Sequence, residues 1–205
     1  MSKTLIIVPM KDPSASKTRL ADALPEAVRA RLVRLLYRRC LSFLAPLAAE
    51  TAADLAVVTR SQTARSIAEG LNVTVIEEPL GAGLSGAVSH AATLAKQQGY
   101  ARLCVIPADL VTPKRADLRH FLQSKAAVTV CPSTDLGTNA LLVSPPDVIP
   151  FRYGKHSASL HLREAQDRGL EACMMRLDSL SFDMDTTACL ARAIRAEPEI
   201  ARAIA

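Results

Sequence analysis

Three cations, Lys11, Lys17 and Arg19, cluster behind a short apolar run that ends at Val8. Point charges and a guanidinium fork in one loop can offset a polyphosphate and the charge that grows on a departing pyrophosphate. Far along the chain, Asp109 follows an apolar run and Pro107, so its carboxylate projects from a strand end with little freedom. Asp183 and Asp185 lie two apart, and in extended chain such residues share a face. Magnesium prefers one or two carboxylates plus substrate phosphates to a full protein cage, and Asp109 with one of the late pair supplies that. Between them, Gly137-Thr138-Asn139 offers backbone N–H, hydroxyl and amide groups to an anion, or is a plain turn. Gly154 and Ser157 precede a helical pattern whose N-terminus favours phosphate, with His161 one turn further on.

These pieces need a scaffold that brings distant segments to one edge. Apolar runs over 4–8, 55–59, 73–76, 103–106, 127–131, 140–143 and 172–177 read as strands. Helical patterns alternate with them over 26–47, 63–69, from a glycine loop to 98, over 114–123 and 157–168, and from 186 onward. The expectation is a single α/β domain over 1–205, a mostly parallel sheet with helices on both faces. Ligands of such sheets sit outside the carboxyl ends of the strands, where Lys11, Gly81 and Asp109 all fall.

The glycine loop, Gly81-Ala82-Gly83-Leu84-Ser85-Gly86, matches a dinucleotide fingerprint in form only. Glu77, Glu78, Pro79 and Leu80 separate it from its strand, whereas the fingerprint follows the strand directly. It still lets backbone approach a base or ribose, or simply starts a helix. The cationic loop lacks the G-x-x-x-x-G-K-[ST] pattern of P-loop ATPases.

Bulk properties narrow the classes further. The chain has 205 residues, 49% hydrophobic and 22% charged, which suits one folded domain. Net charge is +5, front-loaded on Arg29, Arg31, Arg34, Arg38 and Arg39. Those arginines are either a solvated helix face or a field that draws in a small anion. Aromatics are 3% with no Trp, too few to stack single-stranded nucleic acid, so no nucleic-acid partner is expected. The five cysteines are widely spaced, which fits a reducing cytoplasm. No apolar run has spanning length, so no membrane role is expected.

Taken in order, Val8-Pro9-Met10-Lys11 with Lys17-Thr18-Arg19-Leu20, Pro107-Ala108-Asp109-Leu110, Gly137-Thr138-Asn139-Ala140-Leu141, Tyr153-Gly154 with Ser157 and His161, and Asp183-Met184-Asp185-Thr186 resemble the 2-phospho-L-lactate guanylyltransferase family of coenzyme F-420 biosynthesis. That family is related to MobA-like nucleotidyltransferases. The resemblance implies a nucleotide-diphospho-sugar transferase-like (GT-A) fold. It implies transfer of GMP from GTP to a small phospho-acid: 2-phospholactate, phosphoenolpyruvate or 3-phosphoglycerate. Pro9, Lys11, Lys17 and Arg19 would hold the nucleotide, and Gly81, Gly83 and Ser85 would face guanine and ribose. Asp109 and Asp185 would hold Mg²⁺, and Thr138, Asn139, Gly154 and Ser157 the acceptor. Lys11, Lys17, Arg19 and Asp109 form the catalytic set, in a monomer or homodimer. The chain departs from the family at Val111, His156, Ala158 and after Thr186. A related transferase of another nucleotide, cytidylyl- or molybdopterin-type, and a non-catalytic nucleotide-binding protein of the same fold are the alternatives.

Overall fold

A computed structural model describes residues 3–205. The alternating pattern folds as one seven-stranded sheet in the order β3-β2-β1-β4-β6-β5-β7. The strands are β1 Thr4–Pro9, β2 Ala53–Thr59, β3 Thr74–Glu77, β4 Arg102–Val105, β5 Val128–Pro132, β6 Thr138–Val143 and β7 Ala172–Met174. β1 pairs in parallel with β2 and β4, β2 with β3, and β5 with β7. Only β6 runs against its neighbours β4 and β5. This reversal has a consequence for the site: the first residues of β6 lie at the same sheet edge as the last residues of β1 and β4.

Strand alternation divides the core. Ile6 and Val8 point to one face, where they meet Val33, Tyr37, Leu41 and Leu44 of α1 (Glu26–Glu50). α2 (Gln62–Glu69) and α4 (Arg115–Leu122) complete that layer. Leu5 and Ile7 point to the other face, against α3 (Gly83–Gln97) and α5 (Ser157–Gln166). α3 presents Ala87, Val88, Ala91, Ala92 and Ala95 to the sheet, small side chains that let its backbone approach closely. Truncating a fully buried leucine of α1 such as Leu41 to alanine costs about 2–5 kcal/mol.

The C-terminal region differs from the sequence expectation in two places. The strand expected over 172–177 ends at Met174, and the chain turns through α6 (Asp178–Ser181). The helix expected from 186 is two helices, α7 (Thr187–Ala196) and α8 (Pro198–Ile204). Pro198 has no N–H for the ladder and starts the second helix instead. Thr186 caps α7 by accepting the Cys189 N–H at 3.2 Å. Leu190, Ala193 and Ile200 then pack on Leu32 and Leu36 of α1.

Two of the front-loaded arginines, Arg31 and Arg39, serve this packing. Arg39 pairs with Glu197 at 2.8 Å, and Arg31 donates to the Ala203 carbonyl at 2.5 Å. No helix among the described residues is long and apolar enough to cross a membrane.

Candidate active site

A crevice of about 410 Å³ opens along the carboxyl edge of β1 and β4. Its walls come from the loop after β1, the segment after β3, the end of β4, the start of β6 and the Asp185 segment. The loop after β1 is held from below. Asp12 accepts from the Ser14 N–H at 3.0 Å, and its other oxygen accepts from the Ser61 hydroxyl at 2.5 Å. Ser61 in turn caps α2 by accepting the Ala64 N–H at 3.2 Å. The Ser14 and Ser61 hydrogen bonds hold the Asp12 carboxyl below its ordinary range. The loop's outward course is thereby tied to a helix start, and Asp12 is a positioning residue that the sequence reading leaves without a role. Its signal was present: Asp-Pro-Ser is a turn-initiating pattern.

Lys17 forms the centre of the site. Its backbone lies in the left-handed region (φ 56°), uncommon for a residue with a side chain, and the side chain is 8% exposed. The ammonium pairs with Asp109 and also with Asp185 Oδ1 at 2.7 Å. Burial alone would push that ammonium down; the two carboxylates outweigh it and raise it above the lysine range. Asp183 does not reach the ammonium; its backbone bridges to Leu110, and Asp185 is the late acid that does. Burial pushes the Asp183 carboxyl up to about 7, with the Asp109 and Asp185 charges adding to the rise. Arg19 lies at the mouth, 3.4 Å from Asp185 and 3.7 Å from Asp135, a rim acid that the sequence reading does not single out. Pro9 and Lys11 line the crevice on the β1 side.

A second cluster forms where β6 begins. The Arg152 N–H donates to His161 Nε2 at 3.0 Å, which puts the imidazole proton on Nδ1. Nδ1 lies 3.1 Å from Thr138 Oγ1, and the Ser157 hydroxyl donates to the same oxygen at 2.9 Å. With two bonds accepted, the Thr138 proton is left to point into the crevice that Thr138 lines. Burial lowers the His161 pKa to about 4, so the ring stays neutral in its donor role. Ser157 is itself buried and reaches the crevice through Thr138. Asn139 lines the crevice while its amide donates to the Leu180 carbonyl at 3.0 Å, fixing the site to α6. A Cβ at Gly137 would meet Ser133 Oγ at 2.7 Å, so any larger residue there would displace the Ser133 side chain.

The glycine loop stands further off. Gly81 and Gly83 both have positive φ, turning the chain into α3, and Leu84 rather than either glycine faces the crevice. Ser85 Oγ accepts the Tyr153 N–H at 3.0 Å, joining α3 to the Tyr153–Gly154 turn. Gly154, at φ 140°, shapes that turn without lining the crevice.

Two carboxylates sharing one buried cation, with further cations and a free hydroxyl beside them, suit a phosphate-bearing ligand. Residues 4–195 match the family model described as "Guanylyl transferase CofC like". The chain belongs to that family. Within it, the chain is 36% identical to a 3-phospho-D-glycerate guanylyltransferase of Colwellia psychrerythraea, over 90% of this chain and 88% of that one. It is 30% identical to a phosphoenolpyruvate guanylyltransferase of Rubrobacter xylanophilus, over 91% of each. A solved nucleotidyl transferase from Methanothermobacter thermautotroptrophicus superimposes with a TM-score of 0.64 at 13% identity, covering 98% of both chains. The guanylyl transferase family assignment and the nucleotidyltransferase fold thus agree with the resemblance carried by the short motifs.

Proposed function

We propose that this guanylyl transferase moves GMP from GTP onto the phosphate of a small phospho-acid, releasing pyrophosphate, in a coenzyme F-420-type pathway. The observation that carries the proposal is the Lys17 ammonium held between Asp109 and Asp185 on the floor of the crevice. Lys11 and Lys17 lie on the β1 side for a triphosphate, and Thr138 lies on the β6 side for an anionic acceptor.

Asp109 and Asp185 are the residues that would hold Mg²⁺. The fit rests on their convergence: both already direct an oxygen at one point charge, and magnesium uses one or two carboxylates plus phosphates. Among the described residues no set of three or more His, Cys, Asp or Glu forms a protein-only metal cage, in keeping with a site that takes ligands from its substrate. When bound, the ion would supply neutralisation of the phosphate charge.

The reaction is an in-line displacement. An acceptor phosphate oxygen attacks the α-phosphorus of GTP as the bond to the β-phosphate bridging oxygen breaks. The electron pair leaves with pyrophosphate. The attacking oxygen is already ionised, so the chain's residues position and neutralise and need not remove a proton. Lys11, Lys17 and Arg19 offset the charge on the leaving group. Thr138, aimed by His161 and Ser157, donates to the acceptor.

Each NTP incubated with Mg²⁺ and a panel of phospho-acids, read by pyrophosphate release, tests this. Release with GTP and at least one of 2-phospholactate, phosphoenolpyruvate or 3-phosphoglycerate is expected; release with CTP and not GTP refutes it.

A further inference from the structure

Glu78 is the one crevice acid outside the Lys17 cluster; its backbone N–H donates to the Thr59 carbonyl at 3.3 Å, while its carboxylate has no hydrogen-bond or ion-pair partner among the described residues. Its neighbour Glu77 is engaged with Arg65 and stands outside the crevice, so the two adjacent acids have different fates. A lone carboxylate in a triphosphate site would repel the phosphates if it faced them. It must instead meet a part of the ligand that donates.

Sheet order shows which part. Along the carboxyl edge the sequence of strands is β3, β2, β1, β4, β6. Glu78 follows β3, Lys11 follows β1, Asp109 follows β4 and Thr138 opens β6. β3 and β4 are three strand spacings apart, about 14 Å. A nucleotide whose α-phosphate sits by Asp109, with the acceptor toward Thr138, therefore extends its base toward Glu78. Leu84 and Pro9 supply apolar walls on that side.

We infer that Glu78 reads guanine, its two oxygens accepting the N1–H and 2-amino N–H of the base. A carboxylate is an acceptor with two parallel lone-pair positions. Guanine offers it two adjacent donors on one edge. Adenine presents an N1 acceptor there and no 2-amino group; cytosine and uracil offer a single donor. The inference rests on the guanylyl transfer proposed above and names the residue that makes it guanylyl.

Calorimetric binding of GTP, ITP, ATP and 2′-deoxyGTP in the presence of Mg²⁺, to the wild type and to Glu78→Gln, tests the assignment. Inosine keeps N1–H and lacks the 2-amino group, so wild type should bind ITP about ten-fold or more weaker than GTP. In Glu78→Gln, GTP should weaken about 10- to 100-fold while ATP does not weaken, and the GTP preference should collapse. Glu77→Gln, the adjacent acid outside the crevice, should behave as wild type. GTP binding unchanged in Glu78→Gln overturns the assignment. Equal loss of GTP and ATP, with wild type rejecting 2′-deoxyGTP, overturns it in favour of a ribose contact. A wild type that prefers CTP or ATP over GTP instead brings down the guanylyl reading itself, before any variant is compared.

Discussion

Replacing Lys17 by methionine removes one ammonium and leaves Asp109, Asp183 and Asp185 facing each other. Removing one partner of a buried ion pair costs about 3–5 kcal/mol, because the other charge stays buried and unpaired. Lys17 is 8% and Asp109 23% exposed, so their pair belongs to that class. The Asp185 side chain is 40% exposed, and its pair is screened to the level of surface bridges, about 0–1 kcal/mol. The variant should thus lose roughly 3–6 kcal/mol, and for a domain of this size its Tm should fall by about 6–24 °C. Freed from the ammonium, the two carboxylates should respond more strongly to a divalent ion. Mg²⁺ at 100 times its Kd would restore about 2.7 kcal/mol. Differential scanning calorimetry with and without Mg²⁺ reads both effects. Turnover should not recover with the Tm, since loss of an electrostatic donor to the transition state costs about 10²–10³ in rate. A Lys17→Met variant that melts with wild type and gains nothing from Mg²⁺ would refute the reasoning.

Asp109→Asn keeps the side-chain shape and should lower pyrophosphate release by about 10³-fold with an unchanged far-UV spectrum; a near-normal rate removes Asp109 from the site. Thr138→Val should raise KM for the acceptor by about ten-fold or more and leave GTP affinity unchanged, because only the acceptor-side donor is lost; steady-state kinetics in both substrates distinguish this from general damage. His161 gives a pH signature. Its pKa is about 4 when folded and 6.5 unfolded, so between those values the unfolded chain binds more protons. The stability this neutral ring supports is complete above pH 6.5 and is lost as pH falls to 4, an effect on the order of 3 kcal/mol. Thermal melts of wild type against His161→Gln should show that slope in wild type and a flatter one in the variant.

The sheet was legible because its strands are short continuous apolar runs closed by polar or proline-bearing ends. That pattern alone places Lys11 and Asp109 at one edge. The direction of β6 was not legible: Ala140–Leu141–Leu142–Val143 is apolar on every residue and carries no sign of parallel or antiparallel pairing. That reversal brings Thr138 to the edge, so its presence in the crevice depended on topology that the run alone does not encode. The choice between Asp183 and Asp185 likewise needed a tertiary partner, since residues two apart are equivalent in extended chain and only Lys17 distinguishes them. The positive-φ residues of the glycine loop turn the chain into α3, and Glu78 before them and Leu84 after them line the crevice. Arginines on α1 are equally readable as a surface field or a packing face, and Arg39, paired with Glu197 at the α7–α8 junction and Glu199 of α8, takes the second role.

The most direct test of the central claim follows the phosphorus. GTP labelled at the α-position and GTP labelled at the γ-position are each incubated with the protein, Mg²⁺ and a phospho-acid acceptor, and the products are separated by charge. Guanylyl transfer predicts α-label in a new guanosine-bearing diphosphate diester and γ-label in pyrophosphate alone. Gamma-label appearing on the acceptor, or α-label recovered only as GMP, would contradict it.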